Sequence, residues 1–168
     1  MPKNKINVGL STFGRTYNLA YNNVRSINVP IAGLGINNGT VAYNQICKFL
    51  RKPETTYIYN ERLQVPFAYN GYDLIAFDNE KSLTVKCRYV CKQEFGGVML
   101  FALNFDDYEG ICRPGGGSGG VSLGNDGDDE SLNRFPLHNA VYKTLRFAGM
   151  TKFQRLDKKW RKKGQMNK

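Results

Sequence analysis

Apolar positions fall into short runs separated by turn residues, and their spacing changes along the chain. From Ile6 to Tyr17, Val8, Leu10 and Phe13 supply β-forming bulk, while Gly9 and Gly14 mark places of close packing or bending. One strand is predicted there. Residues 18–40 are rich in turn formers. Thr40 to Leu50 then sets Val41, Ile46, Phe49 and Leu50 at helical spacings and is closed by Pro53, which predicts a short amphipathic helix.

Between Thr55 and Phe77 the pattern becomes alternating and aromatic, with Tyr57-Ile58-Tyr59, then Val65 to Tyr69, then Tyr72 to Phe77. Asn70-Gly71 between the last two runs is a hairpin signal. Asp78 to Ser82 can cap a helix running from about Ser82 to Gln93, its buried side drawn from Leu83, Val85, Cys87, Val90 and Cys91. Gly96-Gly97 end it. Val98 to Leu103 is a continuous apolar run of strand length, the kind buried on both faces of a parallel sheet. Helix, tight turn and buried strand make an α/β unit. Residues 113–131, with Gly115 to Gly120 and the acidic Asp126 to Glu130, have the composition of a flexible loop, and a last helix is predicted from Leu137 to Phe147.

Composition narrows the picture. With 168 residues, 41% of them apolar, the chain can bury the core of one ordinary domain. Its richest apolar segment is broken at Asn104, well short of the ~18 residues of a membrane span, so no membrane partner is expected. Met1 to Lys5 lead straight into the first strand without an apolar signal core. The net charge of +10 is concentrated in residues 143–168, which hold ten basic residues and one acidic. The basic run Lys158 to Lys163 offers a polyanion-binding reading through counterion release. Without a nucleic-acid fold beside it, the run reads as a solvated, unstructured end, and nucleic acid is not an expected partner.

Three stretches carry a resemblance: Gly9 to Tyr17 (GLSTFGRTY), Ala42 to Leu50 (AYNQICKFL) and Gly96 to Tyr108 (GGVMLFALNFDDY). With Val65 to Tyr69, Phe77 to Glu80 and Arg134 to Leu137 in the same order, they resemble the C-terminal part of family 18 glycoside hydrolases, the animal chitinases and chitinase-like lectins. The resemblance implies an α/β fold: a partial (β/α)8 TIM barrel, of which this chain holds the last two βα units, with an inserted antiparallel α+β domain. It implies barrel strand seven at residues 1–17, the insertion at 18–75, and barrel helix seven with strand eight at 76–112. A Gly-rich acidic loop follows at 113–133, the last barrel helix at 134–149 and a basic tail at 150–168. A whole barrel takes about 250 residues.

The function implied is action on, or binding of, chitin and β-1,4-N-acetylglucosamine oligosaccharides, with retaining, substrate-assisted hydrolysis in the complete protein. No cofactor or metal is implied. The family's acidic D-x-x-D-x-D-x-E motif has no counterpart here; Asp126 to Glu130 match it only in composition, so no catalytic residue is assigned and the chain alone is expected to be inactive. What the resemblance does assign is a sugar-binding wall of Phe13, Arg15, Gln45, Met99, Phe101 and Asn104. Phe101 stands where the family has a tryptophan floor, Asn104 for an aspartate on the same strand, Phe13 for a tyrosine and Gln45 for a glutamate, which softens the site. A non-catalytic chitin-binding lectin is the alternative.

By the same resemblance Cys47 pairs with Cys112, which implies an extracellular parent protein. Cys87 and Cys91 are extra, and at i, i+4 they read as buried free thiols. Asn38-Gly39-Thr40 is an N-glycosylation sequon on a predicted loop, assigning Asn38 as a candidate modified residue. His138, the only histidine, has no nucleophile motif around it and is expected merely to begin the last helix.

Overall fold

A computed structural model describes residues 1–22, 26, 28–112 and 134–148. The Gly-rich acidic loop and the basic tail expected from the sequence lie outside these residues. The stretch read as one strand from Ile6 to Tyr17 is two: β1 (Asn7–Ser11) and β2 (Phe13–Leu19). Thr12 makes the break. Its N–H donates to the carbonyl of Phe101 at 3.0 Å and its hydroxyl to that of Ala102 at 2.6 Å, so the chain is tied down there before it changes sheet.

β2 lies in an antiparallel sheet with β3 (Ile31–Leu34), β4 (Thr40–Ala42), β5 (Thr56–Asn60), β6 (Val65–Asn70) and β7 (Asp73–Ala76). The order is β3-β2-β7-β6-β5, with β4 pairing the first residues of β2. Gly71, at φ 58, turns β6 into β7, as the Asn-Gly pair predicts. The helix read from Thr40 begins three residues later, as α1 (Tyr43–Leu50), because Thr40 to Ala42 find a strand partner in β2. α1 packs closely on the sheet: a Cβ at Gly14 would stand 2.8 Å from Cδ1 of Ile46 and 3.2 Å from the carbonyl of Ala76. That is the close approach for which Gly14 is needed.

α2 (Glu80–Lys92) starts two residues earlier than its sequence pattern suggests, since Asn79 and Ser82 cap it reciprocally: each side-chain oxygen accepts from the other's backbone N–H at 2.9 Å. It leads to β8 (Gly97–Phe101), which pairs in parallel with β1 in a separate two-stranded sheet. A final helix, α3, spans 136–148.

Leu10, Val41, Ile46, Phe49, Ala68, Ile75, Leu83 and Leu137 share one buried cluster, so among the described residues both sheets and α1, α2 and α3 meet in a single core. A disulfide joins Cys47 on α1 to Cys112, with Cα atoms 5.2 Å apart and a sequence separation of 65. Closing a loop of that length restricts the unfolded chain by about 4 kcal/mol in the chain-entropy picture. Cys87 and Cys91 are both free; Cys87 is buried as expected, whereas Cys91 is only half-buried. Burial pushes the Cys87 thiol up to about 11, with Cys91 adding to the shift.

One expectation fails clearly. Val98 to Leu103 does not form a strand covered on both faces: Val98 and Leu100 lean on the core, but Met99 is 50% and Phe101 57% exposed. Among the described residues only β1 flanks β8, and α2 covers only one side of the pair. Asn104, read as part of that strand, sits in a 3-10 turn (Leu103–Phe105) beyond its end.

Candidate functional site

The open face of β8 continues onto the antiparallel sheet through aromatic contacts. Because Gly9 pairs with Met99 and Ser11 with Phe101, the exposed face of the parallel sheet carries small residues on one strand and large apolar ones on the other. Phe13, the first residue of β2, meets Phe101 edge to face at 6.4 Å between ring centroids and Phe105 at 5.5 Å. The Arg15 guanidinium lies 5.2 Å above the Phe13 ring, a cation–π contact that holds a charge beside the aromatic pair.

Cross-strand pairing places Arg15 opposite Thr40, and Nη1 of Arg15 donates to the Thr40 hydroxyl at 2.9 Å. Close by, Oε1 of Gln45 accepts from the backbone N–H of Ala42 at 3.1 Å and from Nδ2 of Asn37 at 3.2 Å. Gln45, at the third helical position, thus supplies the half of a capping box that reaches back to the N-cap N–H, while Ala42 has no side-chain acceptor for the first-turn N–H groups. Two residues further along β2, Tyr17 lines an apolar cavity of about 380 Å³ with Ile31, Val65, Phe67 and Leu74.

The structure thus joins Phe13, Arg15 and Phe101 by direct contact, sets Met99 two residues before Phe101 on the same face, and holds Gln45 on the neighbouring turn. Asn104 is exposed on its turn beside Phe105, away from the strand on which it was expected. Thr40, Asn37 and Phe105 were not foreseen. Thr40 could not be, because the helical spacing of its neighbours conceals the strand pairing that brings it to Arg15.

Behind the wall, Asp106 is fully buried and organises the start of α3. Its carboxylate accepts from the backbone N–H groups of Asp107, Leu137 and His138 and pairs with Nδ1 of His138 at 2.7 Å. A carboxylate at a helix N-terminus satisfies unpaired donors and meets the positive end of the helix dipole. His138 is therefore a clamp as well as a helix starter. Burial pushes the Tyr43 phenol upward, helped by Glu80 and Asp106, and burial together with Asp106 raises the Glu80 carboxyl. Among the described residues, no group of three His, Cys, Asp or Glu side chains could hold a metal ion.

The wall contains no carboxylate, thiol or imidazole, so its chemistry is stacking, cation contact and hydrogen bonding. A family profile decides the lineage: glycosyl hydrolases family 18 matches residues 1–106. The chain belongs to this family. Human chitinase-3-like protein 2 is 30% identical over 122 residues, covering 68% of this chain and 30% of its own. Among solved structures of the family, a Group IV chitinase of Ostrinia furnacalis in complex with allosamidin superposes with a TM-score of 0.73 at 27% identity, over 88% of this chain and 36% of that one. Human YKL-39, described as a pseudo-chitinase with retained chitooligosaccharide binding properties, gives a TM-score of 0.70 at 26% identity, over 86% and 36% of the two chains. The chain spans 20–30% of the length of the relatives it matches by sequence. Its α/β fold is accordingly a barrel-like part of a family 18 protein.

Proposed function

We infer that this chain contributes a chitooligosaccharide-binding wall to a family 18 protein, with Phe101 and Met99 as an apolar floor and Arg15 and Gln45 as polar contacts. The observation that carries the reading is the Phe101–Phe13–Arg15 array on a face left open by the fold. A pyranose ring has an apolar face for an aromatic side chain and hydroxyl and amide groups for hydrogen bonds at its rim, so it suits this combination. Read this way, β1 and β8 are strands seven and eight of a partial (β/α)8 barrel and the antiparallel sheet with α1 is its insertion.

Binding is favoured over hydrolysis for the chain as it stands, because none of the wall residues can protonate a glycosidic oxygen. In a complete protein the same wall would serve retaining, substrate-assisted cleavage if an acid were supplied from elsewhere in the barrel. The Cys47–Cys112 disulfide supports action outside the cytosol.

Titration of the oxidised chain with chitotetraose by calorimetry tests the proposal. Binding should be measurable, and Phe101→Ala and Arg15→Ala should each weaken it by about 2- to 12-fold, the effect of losing about 0.5–1.5 kcal/mol. No binding, or binding that both variants leave unchanged, overturns the wall. Release of sugar from a chromogenic chitin oligomer would overturn the view that the chain alone lacks the acid.

A further inference from the structure

The only N-x-Ser/Thr sequon of the chain, Asn38-Gly39-Thr40, lies inside the hydrogen-bonded corner of this wall. Asn38 is exposed, in a turn where it and Asn37 both take left-handed backbone conformations with φ of 51 and 52. Asparagine tolerates that conformation well. Gly39 is buried at φ 86, a left-handed conformation in which any side chain would be strained, so the middle position of the sequon favours glycine. Of the residues flanking Asn38, Asn37 donates to Gln45 and Thr40 accepts from Arg15. The sequon is thus rooted between the two polar contacts of the wall.

We propose that Asn38 carries an N-linked glycan and that the glycan's core competes in cis for the Arg15 and Gln45 wall. In the modification, the side-chain amide nitrogen of Asn38 attacks C1 of a lipid-pyrophosphate-linked oligosaccharide. The new bond is N–C1, the C1–O bond to pyrophosphate breaks, the lipid pyrophosphate leaves, and the amide gives up one proton. The chain must enter a secretory compartment for this, as the Cys47–Cys112 disulfide also requires. The core of an N-glycan begins with a β-1,4-linked N-acetylglucosamine pair, the same linkage and sugar as in chitin. A ligand of the class inferred for the wall would thereby be tethered beside it. Because Gly39 and the Thr40 hydroxyl hold the root of the tether in place, the effective concentration of the core is of millimolar order, the range of short tethers. This competition rests on the binding role inferred above, whereas the modification does not.

The test uses the full 168-residue chain secreted from insect cells behind an added leader, its Asn38→Gln variant from the same cells, and unglycosylated chain refolded from bacteria. Intact mass before and after peptide N-glycosidase treatment, with peptide mapping for conversion of Asn38 to aspartate, reads the modification directly. Calorimetric titration with chitotetraose then reads the competition. The secreted chain should carry the glycan at Asn38 and bind chitotetraose at least about threefold more weakly than Asn38→Gln or the bacterial chain. Unmodified Asn38 overturns the site. A glycosylated chain that binds as well as the variant overturns the competition. Failure of all three preparations to bind overturns the competition together with the wall, and the mass data still decide the modification.

Discussion

Strands β6 and β8 invite comparison because their sequences and their surroundings disagree in opposite ways. β6 reads as part of an alternating aromatic stretch, yet Pro66, Phe67, Ala68 and Tyr69 are all buried. β8 reads as the more apolar strand, yet alternate residues face outward and Phe101 is among the most exposed aromatic side chains described. The cause is neighbourhood. Among the described residues β6 is hydrogen-bonded on both edges, to β5 and β7, whereas β8 has β1 alone. Hydrophobic content says what a strand can bury, and packing partners decide what it does bury. Stability accordingly concentrates around β6, and the sugar binding proposed above around β8.

The sharpest way to break that division is to truncate one phenylalanine on each strand. Phe67→Ala should destabilise the chain by about 3 kcal/mol, the range for emptying a buried aromatic site, read as a fall in the urea midpoint at unchanged slope. A loss below about 1 kcal/mol would mean that the face of β6 turned to the apolar cavity adds little to stability, which then rests on the Ala68 side. An intermediate effect is expected on the covered side of β8, where Cys87 of α2 is buried. Its thiol holds its proton up to about 11 in the folded chain against 9.0 when exposed. Between those two values the unfolded state has released the proton and the native state has not, so stability falls as pH rises through the window, by roughly 1–2 kcal/mol. Cys87→Ala should remove that part of the alkaline loss, and an identical pH profile for the variant would contradict it. The smallest effect belongs to the open side. Phe101→Ala should shift the unfolding free energy by less than about 1 kcal/mol, because so much of the ring already faces solvent. A loss as large as that at Phe67 would erase the distinction between the two strands.

Much of the architecture was legible because it depends on near neighbours in sequence. The Asn70-Gly71 hairpin and the capped start of α2 follow from local conformational preference and from caps a few residues apart. Of the residues assigned to the wall from sequence, Phe13, Arg15 and Phe101 lie in contact and Gln45 stands nearby, whereas Asn104 sits apart on its turn. What escaped depends on contacts between residues far apart in the chain. Thr12 divides one apparent strand by bonding to residues 101 and 102, and Thr40 leaves a helical pattern to pair with Arg15.

The sequence by itself determined the kinds and most of the positions of the elements, the lineage, and the clustering of charge at one end. Periodicity, turn chemistry and motif order are carried by neighbouring residues, so they can be read in a line. Only the tertiary structure decided which face of β8 stays open, that His138 clamps the buried Asp106, and that the sequon turn is held beside Arg15 and Gln45. Burial and long-range hydrogen bonding depend on what each face packs against, and that is a property of the folded neighbourhood.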